Sequence, residues 1–285
     1  VSDIRIPESA VVVGIDGSRS AVRAALWAVD EALHREVPLR LVHVVPAPQF
    51  PEFNDEPSPA GAAVGHALRE IGATRKQVKV EVDIRHGRVA DVLLDSSRGA
   101  LMLCVGAIGI SGSDTRKVGS TAAEVLRSVH CPVAVIRDGQ STPGATLAVV
   151  VEVDESHESV ASLELAAHEA RLRGAPMRVL LRHRVRSVAG HRVATLARED
   201  RHVAAVLLER RLAPLRARHP DLDIRALDPV GGTLDYLERH GHSVQLVIVG
   251  ASDAAHVQEL VGPNGCGVLG RTHCSVLVAA RQRLL

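Results

Sequence analysis

Residues 11–16 read Val-Val-Val-Gly-Ile-Asp, and residues 149–154 read Val-Val-Val-Glu-Val-Asp. Each is a short apolar run that ends on an aspartate, the pattern of a strand buried on both faces whose last residue lies at the carboxyl edge of a sheet. The offset of 138 between Asp16 and Asp154 also carries Ser18 to Ser156, Ala28 to Ala166, Glu31 to Glu169 and Pro38 to Pro176. Later in each copy, Val105-Gly106 matches Val249-Gly250 at an offset of 144, and His130-Cys131 matches His273-Cys274 at 143. A common start, a common end and the loss of one residue between them describe one domain present twice. The domains are expected at 1–140 and 146–285, parted in the polar stretch Gly139–Gly144, where both periodicities lapse.

Apolar runs rich in Val, Ile and Leu alternate with stretches of helical period. In the first copy, strands are expected at 11–15, 39–45, 78–84, 101–105 and 132–136, with helices at 19–35, 61–76, 88–98 and 120–129. The second copy repeats the order, with strands near 147–153, 177–181, 222–227, 244–249 and 275–279. Doubly apolar strands alternating with helices predict an α/β fold: two tandem copies of a doubly wound, five-stranded parallel sheet of Rossmann-like form. The five prolines of Pro46–Pro59 mark an irregular connection after the second strand, on the rim where such sheets bind ligands.

Bulk properties exclude several functions. At 285 residues the chain exceeds what one core usually organises. Its net charge of +1 offers no basic surplus to draw nucleic acid, and aromatic residues at 1% provide no base-stacking platform. The Arg- and His-rich helix expected over 191–218 is interspersed with Glu199, Asp200 and Glu209, which makes it a solvated mixed-charge face. No apolar run is long enough to cross a bilayer, and the first residues lack a signal peptide's core, so a cytoplasmic location is expected with no membrane partner. The four cysteines form no C-x-x-C pair and are expected to be buried, reduced thiols.

The stretch that carries chemistry is residues 106–120, Gly-Ala-Ile-Gly-Ile-Ser-Gly-Ser-Asp-Thr-Arg-Lys-Val-Gly-Ser. It starts at the end of a strand and finishes where a helix begins. Glycines let a backbone approach phosphate oxygens, successive amides make an anion-binding concavity, and the helix contributes its positive end. Arg116 and Lys117 either add charge to this loop or are simply exposed.

The pattern G-x-x-G-(nine residues)-G-S resembles the ATP-binding signature of the universal stress proteins. The resemblance extends to Gly14-Ile-Asp16 at the first strand, Leu41-Val42-His43-Val44 at the second and His130-Cys131-Pro132-Val133 before the fifth, and it runs through both copies as in the tandem members of that family. It implies ATP as the ligand, with Gly14 and Asp16 near the ribose and phosphates and Val44 meeting the adenine through its backbone. Gly106, Gly109, Gly112, Gly119, Ser120 and Thr121 would surround the triphosphate. Asp16 is a candidate for holding Mg2+, the alternative being a turn residue at the start of the next helix. The resemblance also implies pairing of the two domains within the chain through their last strands, with a homodimer left open.

The second copy departs from the signature. Asp253 stands where Gly109 is expected, the loop is one residue shorter, and Gly262 is followed by Pro263, which has no N–H to offer an anion. Weak or absent ATP binding is expected there. Gly265-Cys-Gly267-Val-Leu-Gly270 spells G-x-G-x-x-G but lacks the strand before it that a dinucleotide fingerprint requires. No P-loop is present, none of the histidines forms an H-x-x-x-H pair, and no His/Cys cluster has zinc-finger spacing. With no residue evident for activating water, the expectation is an ATP-binding regulatory protein of the stress response and not an efficient enzyme. A slow ATPase or nucleotidyl- or phosphotransferase is the first alternative, and a nucleotide-free scaffold the second.

Overall fold

The computed structural model describes residues 9–45, 59–109, 119–128, 130–137, 147–154, 159–182, 187–188, 191–192, 198–227, 232–251, 254–272 and 274–279. The Gly139–Gly144 boundary, Gly112, Arg116, Lys117 and Asp253 therefore lie outside the described residues.

The first half runs β1 (Ala10–Gly14), α1 (Arg19–His34), β2 (Leu39–Val45), α2 (Pro59–Ala73), β3 (Val80–His86), α3 (Val89–Ser96), β4 (Ala100–Gly106), α4 (Ser120–Ser128) and β5 (Val133–Ile136). The second half runs β6 (Ala148–Val153), α5 (Ser159–Leu172), β7 (Met177–Leu181), a small antiparallel pair β8 (Ser187–Val188) and β9 (His191–Arg192), then α6 (Arg198–Arg218) and β10 (Ile224–Leu227). It closes with α7 (Thr233–His240), β11 (Val244–Gly250), α8 (Ala254–Val261), α9 (Pro263–Thr272) and β12 (Ser275–Ala279).

The large strands form one ten-stranded sheet in the order β10-β7-β6-β11-β12-β5-β4-β1-β2-β3. Within each half all pairings are parallel and the strand order is the same, third-second-first-fourth-fifth. The halves join where β12 lies antiparallel to β5, with Val276 opposite Val135 and Val278 opposite Val133. All four side chains are buried, and Arg137 N donates to Ser275 Oγ at 3.2 Å beside them. Two edges that would otherwise offer unpaired backbone groups to a neighbour are thereby spent on each other.

Helices cover both faces, so the core has two layers, each continuous through both halves. One layer lies beneath α1, α2, α5 and α6, the other beneath α3, α4, α7, α8 and α9. The central helices approach the sheet closely because their inward residues are small: Ala24, Ala25, Ala28 and Ala32 of α1 and Ala166, Ala167 and Ala170 of α5 are fully buried. Gly17, at φ +88, turns the chain out of β1, and Ser18 caps α1 by accepting the Ala21 N–H at 3.1 Å.

The elements expected at 39–45, 177–181 and 275–279 have those bounds. Elsewhere the differences have local causes. The second helix begins at Pro59, two residues early, because proline's fixed φ suits the first helical position. The third strand starts late, at Val80, because Arg75 at φ +58 ends the preceding helix and a turn from Lys76 to Val78 intervenes. The long helix expected from 191 starts at Arg198, residues 191–192 being taken into the small hairpin. The largest departure follows Gly250, where α8 occupies the shortened, degenerate loop expected before Gly262, and Pro263 opens α9. The G-x-G-x-x-G spelling lies wholly inside α9.

All four cysteines are free and buried. Burial raises the thiol pKa of Cys131 and Cys274 to about 12 and that of Cys104 well above its ordinary value, so these are unreactive packing groups. Among the described residues no helix is long and apolar enough to cross a membrane.

Candidate functional site

β1 and β4 are neighbours, yet the chain leaves β1 for α1 on one face and β4 for α4 on the other. Where successive crossovers part in this way, a crevice opens at the carboxyl ends of the strands. Asp16 stands on one wall of the crevice and the loop that starts at Gly106 on the other.

Asp16 Oδ1 accepts the Ser18 N–H at 2.8 Å, closing the turn that presents Ser18 as the cap of α1. The turn role is thus real, and it also fixes the carboxylate: a Cβ at Gly109 would lie 3.1 Å from Asp16 Oδ2. Gly109 is therefore glycine because its backbone comes close to a carboxylate at the head of the crevice. Gly119 closes the far end of the loop. Its N–H donates to Ala107 O at 2.8 Å, its carbonyl accepts from Ala123 N at 3.0 Å, and a Cβ on it would sit 3.7 Å from Gly109 N. The two ends of the loop are thus pinned together directly before α4. The Gly119 amide is committed to this closure; the first-turn amides of α4, those of Ser120, Thr121 and Ala122, have no intrahelical acceptor and are the donors that a helix start presents to an anion.

Gly106 has a different reason for its identity. A Cβ there would meet Ser20 C at 2.7 Å, Ser20 Oγ at 2.7 Å and Ala21 N at 2.8 Å, so its lack of a side chain lets α1 seat against β4. Ser20, whose sequence context resembles no nucleophile elbow, ties the same corner: its Oγ donates to Ile136 O at 3.4 Å and accepts from Ile108 N at 3.4 Å. Ser18 Oγ adds a bond to Ile108 O at 3.3 Å. Gly14 is in ordinary to tight contact with Leu93 and Val105, where a Cβ would lie 3.3 and 3.6 Å away. Val44 is buried near the carboxyl end of β2, one strand from β1, and the adjacent His43 Nδ1 lies 2.8 Å from Ile15 O. The structure thus gathers Gly14, Asp16, Val44, Gly106, Gly109, Gly119, Ser120 and Thr121 around one end of the half-sheet, and Gly112 lies outside the described residues.

The corresponding end of the second half is filled with charge. Glu152 stands 138 positions after Gly14 and Arg182 the same distance after Val44. Arg182 Nε lies 2.9 Å from Glu152 Oε1, and His256 Nε2 approaches the same oxygen at 2.7 Å from α8. Thr233 Oγ1 donates to Glu152 Oε2 from the start of α7. Asp154, the partner of Asp16 in the repeat, accepts from Ser159 Oγ at 2.7 Å and lies 3.6 Å from Arg182 Nη2, while Arg211 donates to its carbonyl at 2.9 Å. Burial opposes the charged imidazole of His256 and Glu152 more than offsets it, so its pKa is raised above the ordinary value. Carrying the repeat register through every position would have exposed Glu152 and Arg182 in the sequence. The reach of His256 depends on α8, which no glycine-loop reading supplies.

Elsewhere, Glu31, His168 and Glu169 bring three ligand atoms within 4.8 Å of one another. Arg35 and Arg173 already bridge both carboxylates, supplying the positive charge that a cation would bring.

The sheet order and the crevice at the switch between β1 and β4 define a Rossmann-like α/β protein. Comparison with known proteins makes the class specific. The universal stress protein family model matches residues 9–137. Universal stress protein Rv2624c of Mycobacterium tuberculosis is 38% identical over 276 residues, covering 95% of this chain and 96% of that protein. Rv3134c of the same organism is 40% identical over 278 residues, covering 94% and 97%. A universal stress protein from Archaeoglobus fulgidus has the same fold, with a TM-score of 0.66 at 15% identity over 95% of this chain and 96% of that one. The chain belongs to the universal stress protein family, and that membership supports a role in the stress response.

Proposed function

We propose that the crevice between β1 and β4 binds ATP, and that the protein acts in the stress response through the occupancy of this one site, as a tandem member of its family with a degenerate second domain. The observation that carries this reading is the closeness of Gly109 to Asp16 beside the first turn of α4, where a Cβ at position 109 would lie 3.1 Å from the carboxylate. A loop that needs glycine at that point, pinned by Gly119 to Ala107 and followed by free-ended helix amides, has the donor set that a polyphosphate requires.

In this reading the amides of Ser120 and Thr121, with the loop glycines Gly109 and Gly112, receive the phosphates. Asp16 faces the ribose or a phosphate-bound Mg2+, and the adenine lies towards the end of β2 at Val44. Gly106 and Gly14 serve the site by letting α1 and α3 seat closely on the strands. Phosphoryl transfer needs an oriented nucleophile. Asp16, the carboxylate that the crevice places beside Gly109, has its Oδ1 held by Ser18 N. We therefore read the protein as a nucleotide-binding regulator that is no efficient enzyme.

Acid extraction of purified protein, followed by nucleotide analysis, tests the reading. One ATP per chain is expected, and none from Gly119→Glu, which places a carboxylate at the phosphate end. A chain that carries no nucleotide and takes none up from excess ATP is a scaffold. Phosphate release abolished by Asp16→Ala with ATP binding retained would instead establish a slow ATPase.

A further inference from the structure

We infer that the second crevice is closed by its own side chains: Glu152, Arg182 and His256 form an ion cluster in the space that the first crevice leaves to glycine and valine. The inference rests on the nucleotide reading only for what an open crevice would hold.

Three observations carry it. The first is placement. In the repeat register Glu152 replaces Gly14 and Arg182 replaces Val44. The offset of 144 that relates Gly106 to Gly250 carries Gly112 to His256, before the one-residue loss in the loop is taken up. Positions assigned to the ligand in one crevice thus hold the charged groups of the other.

The second is convergence. Glu152 comes from the end of β6, Arg182 from the end of β7, Thr233 from the start of α7 and His256 from α8, and all three partners reach the one Glu152 carboxylate. Asp154 and Arg211 extend the cluster towards α6. A crevice lined by these groups is spanned from wall to wall.

The third is burial. The side chains of Glu152, His256 and Arg182 retain 5%, 10% and 19% of their exposure. Charges so far removed from water persist only when they satisfy one another, which makes the cluster a fixed part of the fold. It is α8 that carries His256 to Glu152.

A thiol placed at the bottom of the cluster reads closure directly. Thr233 is 3% exposed and bonded to Glu152, and the four native cysteines are all buried, so Thr233→Cys in the full chain gives one reporter over a low background. Reaction with N-ethylmaleimide is expected to be slow in this variant and at least about tenfold faster when Glu152→Gly and Arg182→Val are added, because the thiol then no longer waits for a local opening. Arg182→Val alone, the gentler change, is expected to accelerate labelling in the same direction. Rapid labelling of the Thr233→Cys chain, or no acceleration on removing Arg182, overturns the inference. The ATP content of the unmodified chain reports on the first crevice alone, so either reading can fail without the other.

Discussion

Glu31 and Glu169 meet at the seam between the two halves, both fully buried, with carboxylate oxygens within 4.8 Å of each other. They stand 138 positions apart at matching places of the two halves, on α1 and α5, and the arginines four positions after each cross over reciprocally. Arg35 reaches Glu169 at 3.0 Å and Arg173 reaches Glu31 at 2.7 Å, while each also holds the glutamate of its own helix. Arg173 in addition lies over the Trp27 ring at 4.6 Å. Above pH 7, where both carboxylates are ionised, removing one arginine leaves buried charge without its counterion. Arg173→Met is therefore expected to destabilise the chain by about 3 kcal/mol, read as a lower urea midpoint. A loss below about 1 kcal/mol would mean that the quartet behaves like a solvated surface pair.

The same seam predicts a pH dependence. Burial, and the neighbouring charge of Glu31, push the Glu169 carboxyl up to about 7 from 4.5. The folded-state value is raised, so the folded chain keeps a proton that the unfolded chain releases. The stabilising contribution is fully present below 4.5 and is lost as the pH rises through about 7. Denaturant midpoints should decline across that window, and Glu169→Gln, which cannot titrate, should flatten the decline. A wild-type midpoint that does not fall between those two pH values, or a decline that survives in Glu169→Gln, would refute this account.

Much of this was legible in the chain itself. The doubled Val-Val-Val runs, with aspartates at Asp16 and Asp154, require parallel strands buried on both faces, and the offset of 138 already paired Glu31 with Glu169. The spacing of Gly106, Gly109 and Gly119 located the loop. It did not separate their reasons: Gly106 answers to the Ser20 backbone and Gly109 to the Asp16 carboxylate, whereas a Cβ at Gly119 would meet only ordinary contacts, at 3.7 Å. Those are distances between segments far apart in sequence, and no local pattern encodes them. The helix α8 was hidden for a related reason. Its sequence resembles a degenerate version of the first loop, and it is tertiary packing of Val257 and Leu260 into the core that makes it a helix.

Ser18 joins two elements with one hydroxyl. Its Oγ caps α1 through Ala21 N and bonds Ile108 O at the root of the glycine loop. Ser18→Ala should cost about 1 kcal/mol through the lost cap, and hydrogen exchange should quicken at the first turn of α1. ATP affinity should weaken as well if the loop root depends on this bond. An unchanged Tm would mean that the Asp16 turn alone holds the start of the helix.

Gly106→Ala and Gly109→Ala are expected to fail in opposite ways, because their nearest neighbours differ in kind. At Gly106 a methyl group would be pressed against backbone, 2.7 Å from Ser20 C and 2.8 Å from Ala21 N, and neither can move without lifting α1 from β4. Overpacking of that sort costs about 1–3 kcal/mol, so thermal stability should fall. At Gly109 the neighbour is a side-chain oxygen, Asp16 Oδ2 at 3.1 Å, which has a torsion available to yield. Stability there should change by no more than about 0.5 kcal/mol. The carboxylate would swing from its place at the head of the crevice, however, and ATP affinity should drop roughly tenfold, about 1.4 kcal/mol. Calorimetric unfolding and equilibrium dialysis with ATP on the two variants separate the cases. If Gly109→Ala binds ATP as the wild type does, Asp16 is only the turn residue that its bond to Ser18 makes it, and the phosphate end of the crevice must be sought along the first turn of α4.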